Sequence, residues 1–294
     1  MKEQVEFKKM REFGDIISDT FLFIRQNFVP LMKSFLCLAG LFILAGAISS
    51  IITQLQLASL NKGMAGIGRI SSFDKLGDVA LNYIFVIIFM ILNYTAMYVS
   101  ILSYIAVYIE KGNVAPTLAE VWGYFKYYFL RVMGSGVLMS VFLGMAFMFC
   151  LIPGVYVFPA FNLFFAIMIL ENGDFSHSFG RSFKLLSGEW WVTAGTLFIV
   201  YIIFYACTLF IQLPSLVMTM AKAFTNDPGN VNRPLIFISS ISQYLSQIFM
   251  VIPIICSALI YFNLVERKEN LGLLNRIGGF GQHKDNEHND QEQY

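Results

Sequence analysis

The chain has 294 residues, of which 57% are hydrophobic and 13% are charged. Soluble domains carry about 25% charged residues, so this composition excludes an ordinary soluble globular protein and indicates an integral membrane protein. The formal net charge of +1 does not indicate a nucleic-acid partner, and we expect none.

Six apolar stretches are long enough to cross a bilayer as helices, so we predict an all-α, polytopic membrane protein. A hydrocarbon core of about 30 Å requires about 20 helical residues, and lipid offers no partner for open backbone groups. The predicted spans are residues 30–54, 79–109, 132–152, 155–170, 191–213 and 235–264. Pro153 and Gly154 are predicted to form the tight turn between the third and fourth spans, and the connections 55–78 and 214–234 are predicted to be loops.

Basic residues predict the orientation in the membrane. Fifteen of the 20 lysine and arginine residues lie in segments 1–33, 110–131, 171–190 and 265–294. Because cytoplasmic loops are enriched in Lys and Arg, these segments and both termini are predicted to be cytoplasmic. We assign residues 1–270 to one membrane domain and residues 271–294 to a polar cytoplasmic tail, which is predicted to be disordered.

An apolar stripe with steps of 4, 4, 3 and 4 residues occurs three times, before the first, third and fifth spans. Its members are Phe13, Ile17, Phe21, Ile24 and Phe28; Val114, Leu118, Trp122, Phe125 and Phe129; and Phe175, Phe179, Phe183, Leu186 and Trp190. This spacing places apolar side chains on one helix face, and such a helix lies flat at the headgroup level. Asn113 and Asp174 are predicted to cap two of these helices.

The matching stripes predict three pseudo-repeats, each an interfacial helix followed by a helix hairpin. The repeat units are residues 13–109, 114–170 and 175–264, and three unrelated amphipathic linkers are the alternative.

Two motifs carry a resemblance to a known family. They are Leu151-Ile-Pro-Gly-Val-Tyr156, followed by Glu171 and the Ser-Phe-Gly-Arg-Ser-Phe helix, and Leu259-Ile-Tyr-Phe-Asn-Leu-Val-Glu-Arg-Lys-Glu-Asn270. The chain resembles six-span bacterial membrane proteins related to the membrane domain attached to some glycerophosphoryl diester phosphodiesterases. In that group the last span typically ends in a Tyr-Tyr-Asp-Leu-Arg-like motif, whereas here Asn263 and Val265 replace the Asp and the Arg.

The resemblance implies the fold and, with the absence of an organelle signal, a bacterial cytoplasmic (inner) membrane. The phosphodiesterase barrel would need roughly 200 further residues. Its metal-binding carboxylates and histidines have no counterpart in the sequence, so the resemblance implies no such activity.

No motif for catalysis or metal binding is recognised, so we expect a non-enzymatic protein without a cofactor or metal. His177 lies on a predicted interfacial helix without a catalytic partner at a known spacing. The four cysteines fall inside predicted spans and are interpreted as small core residues. Apart from Lys33 at the inner boundary, the predicted spans contain no ionisable residue, so ion coupling is not indicated either.

Neutral polar residues at membrane depth are the candidates for binding a substrate. Asn162, Asn93 and Gln247 could line a pocket for an uncharged or lipid-like molecule, with Asn162 favoured because Pro159 lies about one turn before it. Hydrogen bonds between helices are the alternative role.

Other residues are predicted to be structural. Gly136, Ser140 and Gly144 lie at i, i+4 and i+8, a spacing that allows close helix approach within one chain or in a homodimer. Glu110, Glu171 and Glu266 each end a span where the helix dipole disfavours a carboxylate. We expect them to hold the interfacial helices by pairing with Arg25, Lys126, Arg131 or Arg181; solvated charges are the alternative.

The expected function is that of a membrane scaffold or lipid-associated accessory protein. Membrane lipid is the expected partner and another membrane protein a further one, while the oligomeric state is left open. The alternative is a transporter or channel-like protein for a neutral or amphiphilic small molecule, which predicts a water-accessible cavity that reaches Asn162, Asn93 or Gln247.

Overall fold

A computed structural model of the protein describes residues 5–64, 69–149, 151–225 and 233–269. This part of the chain is helical, with no β-strand. The elements are α1 (Phe13–Met64), α2 (Arg69–Glu110), α3 (Leu118–Phe149), α4 (Leu151–Leu170), α5 (Phe175–Leu186), α6 (Trp190–Thr225), α7 (Arg233–Ser246), a 3-10 turn (Gln247–Met250) and α8 (Val251–Glu269). The predicted disordered tail, residues 271–294, lies outside the described residues.

The described residues contain six helical segments that are long and apolar enough to cross a membrane, which confirms the polytopic all-α class. They are Phe13–Leu57, Val79–Glu110, Leu118–Phe149, Leu151–Leu170, Trp190–Met220 and Arg233–Glu269. In the most apolar part of the last segment 89% of the residues are buried, against 17% in α3 and in α6. Helix α8, in which every residue from Val251 to Glu266 is buried, therefore forms the centre of the bundle, and α3 and α6 lie at its periphery.

The connections α2–α3, α4–α5 and α5–α6 meet at one end of the bundle. Residues 5–12 and the end of α8 lie there too, because Arg267 contacts both Arg11 and Glu189. We call this end, with segments 5–12, 110–120, 171–190 and 265–269, the charged end, and the opposite one the far end. At the far end, α3 and α4 are separated by one residue, which lies outside the described ranges.

The predicted turn at Pro153 and Gly154 is wrong, since both residues lie in the first turn of α4. Proline is tolerated there because the first N–H groups of a helix have no partner within it. Gly154 has a packing role instead: a Cβ added to it would lie 2.3 Å from Cδ1 of Phe147. The missing side chain lets α4 approach α3 closely.

The predicted loops 55–78 and 214–234 are also wrong for most of their length. Helix α1 continues to Met64 and α2 begins at Arg69, while α6 continues to Thr225 and α7 begins at Arg233. Neighbouring helices remain paired over this polar stretch, as the 2.6 Å hydrogen bond from Asn82 Nδ2 to Gln56 Oε1 shows.

The residues of the three apolar stripes lie in helices, except Val114, which precedes α3, and these helices join their spans in three different ways. The first is the N-terminal arm of α1, which bends at the non-helical residue Asn27 just before Pro30. The second is the start of α3, which runs on without a break, and the third is the separate helix α5. The pseudo-repeat and the flat position of these helices stay predictions.

The two predicted caps have different outcomes. Asp174 is confirmed, because its Oδ1 accepts a 2.8 Å hydrogen bond from the N–H of His177. The predicted cap at Asn113 is wrong. Asn113 adopts a left-handed conformation with φ of 69° and lies four residues before Thr117, the residue that precedes α3. The Glu120 carboxylate accepts the Thr117 N–H at 2.7 Å, which is one half of a capping box.

The sixth span is broken, although the sequence predicts one continuous helix over 235–264. Helix α7 ends at Ser246, and a 3-10 turn leads into α8. Pro253 supplies a physical reason, because it lacks the N–H that would bond the Phe249 carbonyl in an α-helix. Short 3-10 stretches are a common way to accommodate such a loss.

Replacing Gly154 with alanine should destabilise the hairpin of α3 and α4. The added methyl group would overlap the Phe147 ring, and overpacking typically costs about 1–3 kcal/mol. Thermal unfolding in detergent should show a lower Tm than for the wild type. The matched control is Gly144→Ala, where no atom lies within 4 Å and the better helix propensity contributes up to about 1 kcal/mol. Equal Tm values for the two variants would contradict the packing role of Gly154.

Candidate functional site: a lateral cavity and a charged end

A cavity of about 530 Å³ lies between α2 and α3 at the depth of the predicted spans. Residues 87–98 of α2 and 132–141 of α3 form its sides. Phe161 and Phe165 of α4 contribute to the wall, together with Tyr201 of α6 and Met250 of the 3-10 turn. The cavity thus collects side chains from the periphery and from the centre of the bundle.

The walls of this lateral cavity are mostly apolar, and its rim is exposed. Ile87 on α2 and Val141 on α3 are 51% and 55% exposed. Both helices belong to segments that are long and apolar enough to cross a membrane, and the opening lies between them on the side of the bundle. The polar groups of the lining are hydroxyls, those of Tyr94, Thr95, Tyr98, Ser140 and Tyr201.

The small residues Gly136, Ser140 and Gly144 of α3 have different surroundings. At Gly136 an added Cβ would lie 3.3 Å from Phe165 Cε1, so α3 and α4 pack closely there within one chain. Ser140 lines the cavity and donates a 2.7 Å hydrogen bond to the Gly136 carbonyl of its own helix. No atom lies within 4 Å of a Cβ added at Gly144. Close packing within the chain is therefore found at Gly136 but not at Gly144.

Asn162 is adjacent to the cavity through a hydrogen bond. The Tyr201 hydroxyl, which lines the cavity, donates to Asn162 Oδ1 at 2.9 Å, and Asn162 Nδ2 donates to the Phe158 carbonyl at 3.0 Å. The side chain is buried and both its groups are used. Asn162 therefore positions a wall residue and does not line the cavity itself.

Asn93 and Gln247 pair with each other away from the cavity wall. Asn93 Nδ2 donates to Gln247 Oε1 at 2.6 Å, which joins α2 to the 3-10 turn where the last span is broken. Within the described residues the Asn93 Oδ1 atom is buried and has no hydrogen-bond partner. An unsatisfied buried carbonyl costs about 1–3 kcal/mol. The predicted interhelical hydrogen bond is thus present, and one acceptor beside it is unused.

At the charged end, Glu171 is the centre of a network that connects three elements. Its carboxylate lies 3.1 Å from Arg181 Nε and 2.7 Å from His177 Nε2, both on α5. Tyr261 of α8 donates its hydroxyl to Glu171 at 2.9 Å, and Arg181 also pairs with Glu269 at 2.5 Å. The predicted pairing of Glu171 with Arg181 is confirmed, and it holds α5 against α4 and α8.

The electrostatics of Glu171 favour its charged form. Partial burial acts to raise the pKa of this carboxyl group, but the hydrogen bonds from His177, Tyr261 and Arg181 together outweigh burial. The pKa of Glu171 therefore lies below its usual range.

The other two predicted carboxylates behave differently from Glu171. Glu110 accepts a hydrogen bond from the hydroxyl of Tyr124 on α3, so the expected pairing with a basic side chain is wrong for this residue. Arg131, one of its predicted partners, donates instead to Asn172 Oδ1 at 2.9 Å. Glu266 is buried near the end of α8 with 4% of its surface exposed, which contradicts a fully solvated charge.

The sequence analysis missed the packing of residues 5–12 into the charged end. Arg11 is buried, and its guanidinium group donates to Asp19 at 2.7 Å and to the carbonyl of Phe7 at 2.9 Å. The Arg11 N–H donates to Asn263 Oδ1 at 2.7 Å. The apolar residues Val5 and Phe7 within a charged stretch were the signal that could have predicted it.

The comparisons with known proteins add no assignment to this geometry. The chain matches no family model, no curated protein and no solved structure. The resemblance to the phosphodiesterase-associated membrane domain therefore rests on the short motifs alone and stays a prediction. Over the described ranges, no group of three or more His, Cys, Asp and Glu side chains is placed to hold a metal ion.

Replacing Glu171 with glutamine should lower the stability of the protein at neutral pH. The change removes the charge that Arg181 and His177 contact, with an expected cost of about 1–3 kcal/mol. Because the folded pKa is depressed, the contribution is complete above the unfolded value of about 4.3 and disappears as the pH falls through the folded pKa. Thermal unfolding from pH 7 to pH 3.5 should therefore show a Tm difference from the wild type that shrinks in acid.

The matched control for this network is Glu189→Gln. Glu189 lies at the same end and, in the part of the chain that the structure describes, forms one ion pair, with Arg267 at 3.5 Å. Its replacement should change the Tm little, since exposed single pairs contribute about 0–1 kcal/mol. If the two variants melted alike at pH 7, Glu171 would not be the centre that holds α5.

Proposed function

We propose that this protein is a non-enzymatic, lipid-associated protein of a bacterial cytoplasmic membrane, and that its lateral cavity holds an acyl chain of a membrane lipid. The observation that carries the proposal is the apolar cavity between α2 and α3, whose exposed rim lies on membrane-spanning helices.

The surroundings of the cavity favour an acyl chain as its occupant. A void beside hydrocarbon loses dispersion contacts on its walls, and a mobile acyl chain recovers them without placing a polar group in the membrane. The volume of about 530 Å³ lies within the range of roughly 300–1,000 Å³ that is usual for small-molecule sites.

The orientation follows from the basic residues. The charged end would face the cytoplasm, because most lysine and arginine residues lie in its segments. In this position α5 and the Glu171 network present a rigid polar surface, which suits an accessory protein that another membrane protein contacts.

A transporter or channel-like function is the second candidate, and the broken last span favours it. Transporters bind substrates where a membrane helix is interrupted and its backbone groups are free. Here the interruption begins at Gln247, next to the unused carbonyl of Asn93. A transport function requires water to reach the hydrogen-bonded pair of Asn93 and Gln247 from one side of the membrane.

Filling the cavity should displace the lipid. We expect Ser140→Trp to reduce the number of lipids that copurify, as counted by native mass spectrometry, since the indole would occupy the space between α2 and α3. Among the described residues the Ser140 hydroxyl bonds only within its own helix, so the fold should persist. The matched control, Leu138→Trp, changes an exposed residue of the same helix that does not line the cavity. Equal lipid counts for both variants would exclude the cavity as the lipid site.

Thiol labelling tests the second candidate independently. In a chain whose four native cysteines are replaced by alanine, Asn93→Cys should resist a membrane-impermeant maleimide if the protein only holds lipid. Rapid labelling from one side of the membrane would favour the transporter. The control Asn172→Cys, on an exposed connection at the charged end, should react in both cases from that side.

A further inference from the structure

A second cavity lies at the charged end, again between α2 and α3. From its lining we infer that it binds an organic ammonium group, and that its ligand is the headgroup of a zwitterionic aminophospholipid. This inference rests on the proposed function, because it names the headgroup class of the lipid partner.

This headgroup cavity has a volume of about 640 Å³ and joins the last turn of α2 to the first turns of α3. Glu110 is the last residue of α2, Lys111 follows it, and Glu120 comes from the first turn of α3. The rest of the wall is largely aromatic and consists of Tyr124, Tyr127 and Tyr128. Carboxylates beside electron-rich rings are a combination that favours cations.

The three tyrosine rings form a connected cluster. The ring centroids of Tyr127 and Tyr128 are 4.8 Å apart with perpendicular planes, and those of Tyr124 and Tyr128 are 6.1 Å apart. Tyr128 is buried and fixed, whereas Tyr127 is 62% exposed and can meet a ligand. A cation within about 6 Å of such a ring is attracted by its quadrupole, and quaternary ammonium groups are commonly bound this way.

The charges of the lining leave one carboxylate without a counter-ion. Lys111 Nζ lies 3.0 Å from both oxygens of Glu120, so these two charges offset each other. Glu110 accepts the Tyr124 hydroxyl on Oε1, and its Oε2 has no hydrogen-bond partner within the described residues. With Glu110, Glu120 and Lys111 the lining carries a net charge of −1, which attracts an ammonium group and disfavours an anionic one.

Lys111 makes the site suitable for a zwitterion rather than for a simple amine. A lipid phosphate can take the place of Glu120 beside Lys111, while the ammonium group takes the place of Lys111 beside the carboxylates. The single ion pair of Lys111 with Glu120 is thereby replaced by two, one between Lys111 and the phosphate and one between the ammonium group and a carboxylate. The nearby basic residue Arg131 is held by Asn172 and does not line the cavity.

The two cavities follow one another along α2, and their nearest edges lie within the length of one lipid leaflet. On α2 the lateral cavity begins at Tyr98 and the headgroup cavity at Val107. Nine residues of helix span roughly 14 Å. Half of a bilayer with its headgroups is about 20 Å thick. The acyl chain of a lipid whose headgroup lies at the charged end thus reaches the near edge of the lateral cavity at Tyr98, whereas its far edge at Ile87 lies roughly 30 Å from Val107.

The test compares two lipids that differ only in the headgroup. The full-length protein in detergent is incubated with an equimolar mixture of phosphatidylethanolamine and phosphatidylglycerol of identical chains, and native mass spectrometry gives the ratio of bound species. The wild type should prefer phosphatidylethanolamine by about two- to fivefold. Glu110→Gln should bring the ratio close to one, although glutamine keeps an oxygen that can accept the Tyr124 hydroxyl.

Two further variants make the result specific. Tyr127→Leu should also lower the ratio, because it removes the exposed ring, whereas Glu189→Gln at the same end should leave the ratio unchanged. Ser140→Trp should lower the total lipid count and keep the ratio. The lipid count therefore tests the lateral cavity as an acyl-chain site, and the ratio tests the headgroup cavity separately. A wild type without preference, or a preference that persists in Glu110→Gln, would overturn the inference.

Discussion

Backbone hydrogen bonding in hydrocarbon is the constraint on which the rest of this structure depends. An open carbonyl or N–H group in lipid costs several kcal/mol, so each departure from helix requires a substitute partner. At the bend of α1, Asn27 Nδ2 donates to the Phe23 carbonyl at 3.3 Å, and Tyr104 of α2 donates to Asn27 Oδ1 at 3.3 Å. At the break in the last span, Asn93 bonds Gln247 from the neighbouring helix. Asn27 and Gln247 thus lie where the helices are irregular, and each is hydrogen-bonded by a side chain of α2.

The charged end solves the same problem with ions. Segment 5–12 has no regular secondary structure. The buried guanidinium group of Arg11 donates hydrogen bonds to carbonyl groups of this segment, those of Phe7 and Lys9. Arg267 donates to the Arg11 carbonyl, and Lys268 donates to the carbonyl groups of Lys184, in the last turn of α5, and of Ser187, which follows the helix. The basic residues that predict orientation therefore also satisfy the backbone at the connections.

The sequence predicts those features that depend on local periodicity and length. The six spans, the helix α5 and the Asp174 cap follow from apolar spacing and capping chemistry, and all are found. The predicted helix ends at the far end were wrong for two reasons. Pro153 fits the first turn of a helix as well as a loop, and polar residues such as Gln56 can form hydrogen bonds between helices. The docking of Arg11 and the two cavities depend on how distant segments pack. The sequence around Glu110 or Ser140 does not indicate that either residue lines a cavity.

The short hairpin of α3 and α4 has a consequence for the choice of membrane. Helix α4 has 20 residues, so it is about 30 Å long, the thickness of an average hydrocarbon core. Its tip carries exposed apolar side chains, with Met148 at 90% and Leu151 at 71%, and the sequence from 132 to 170 contains no charge to anchor it in the headgroups. The other hairpins extend well beyond this length. Bilayer thickness therefore acts on this hairpin by hydrophobic mismatch: a thicker membrane submerges the tip, and a thinner one exposes it to water.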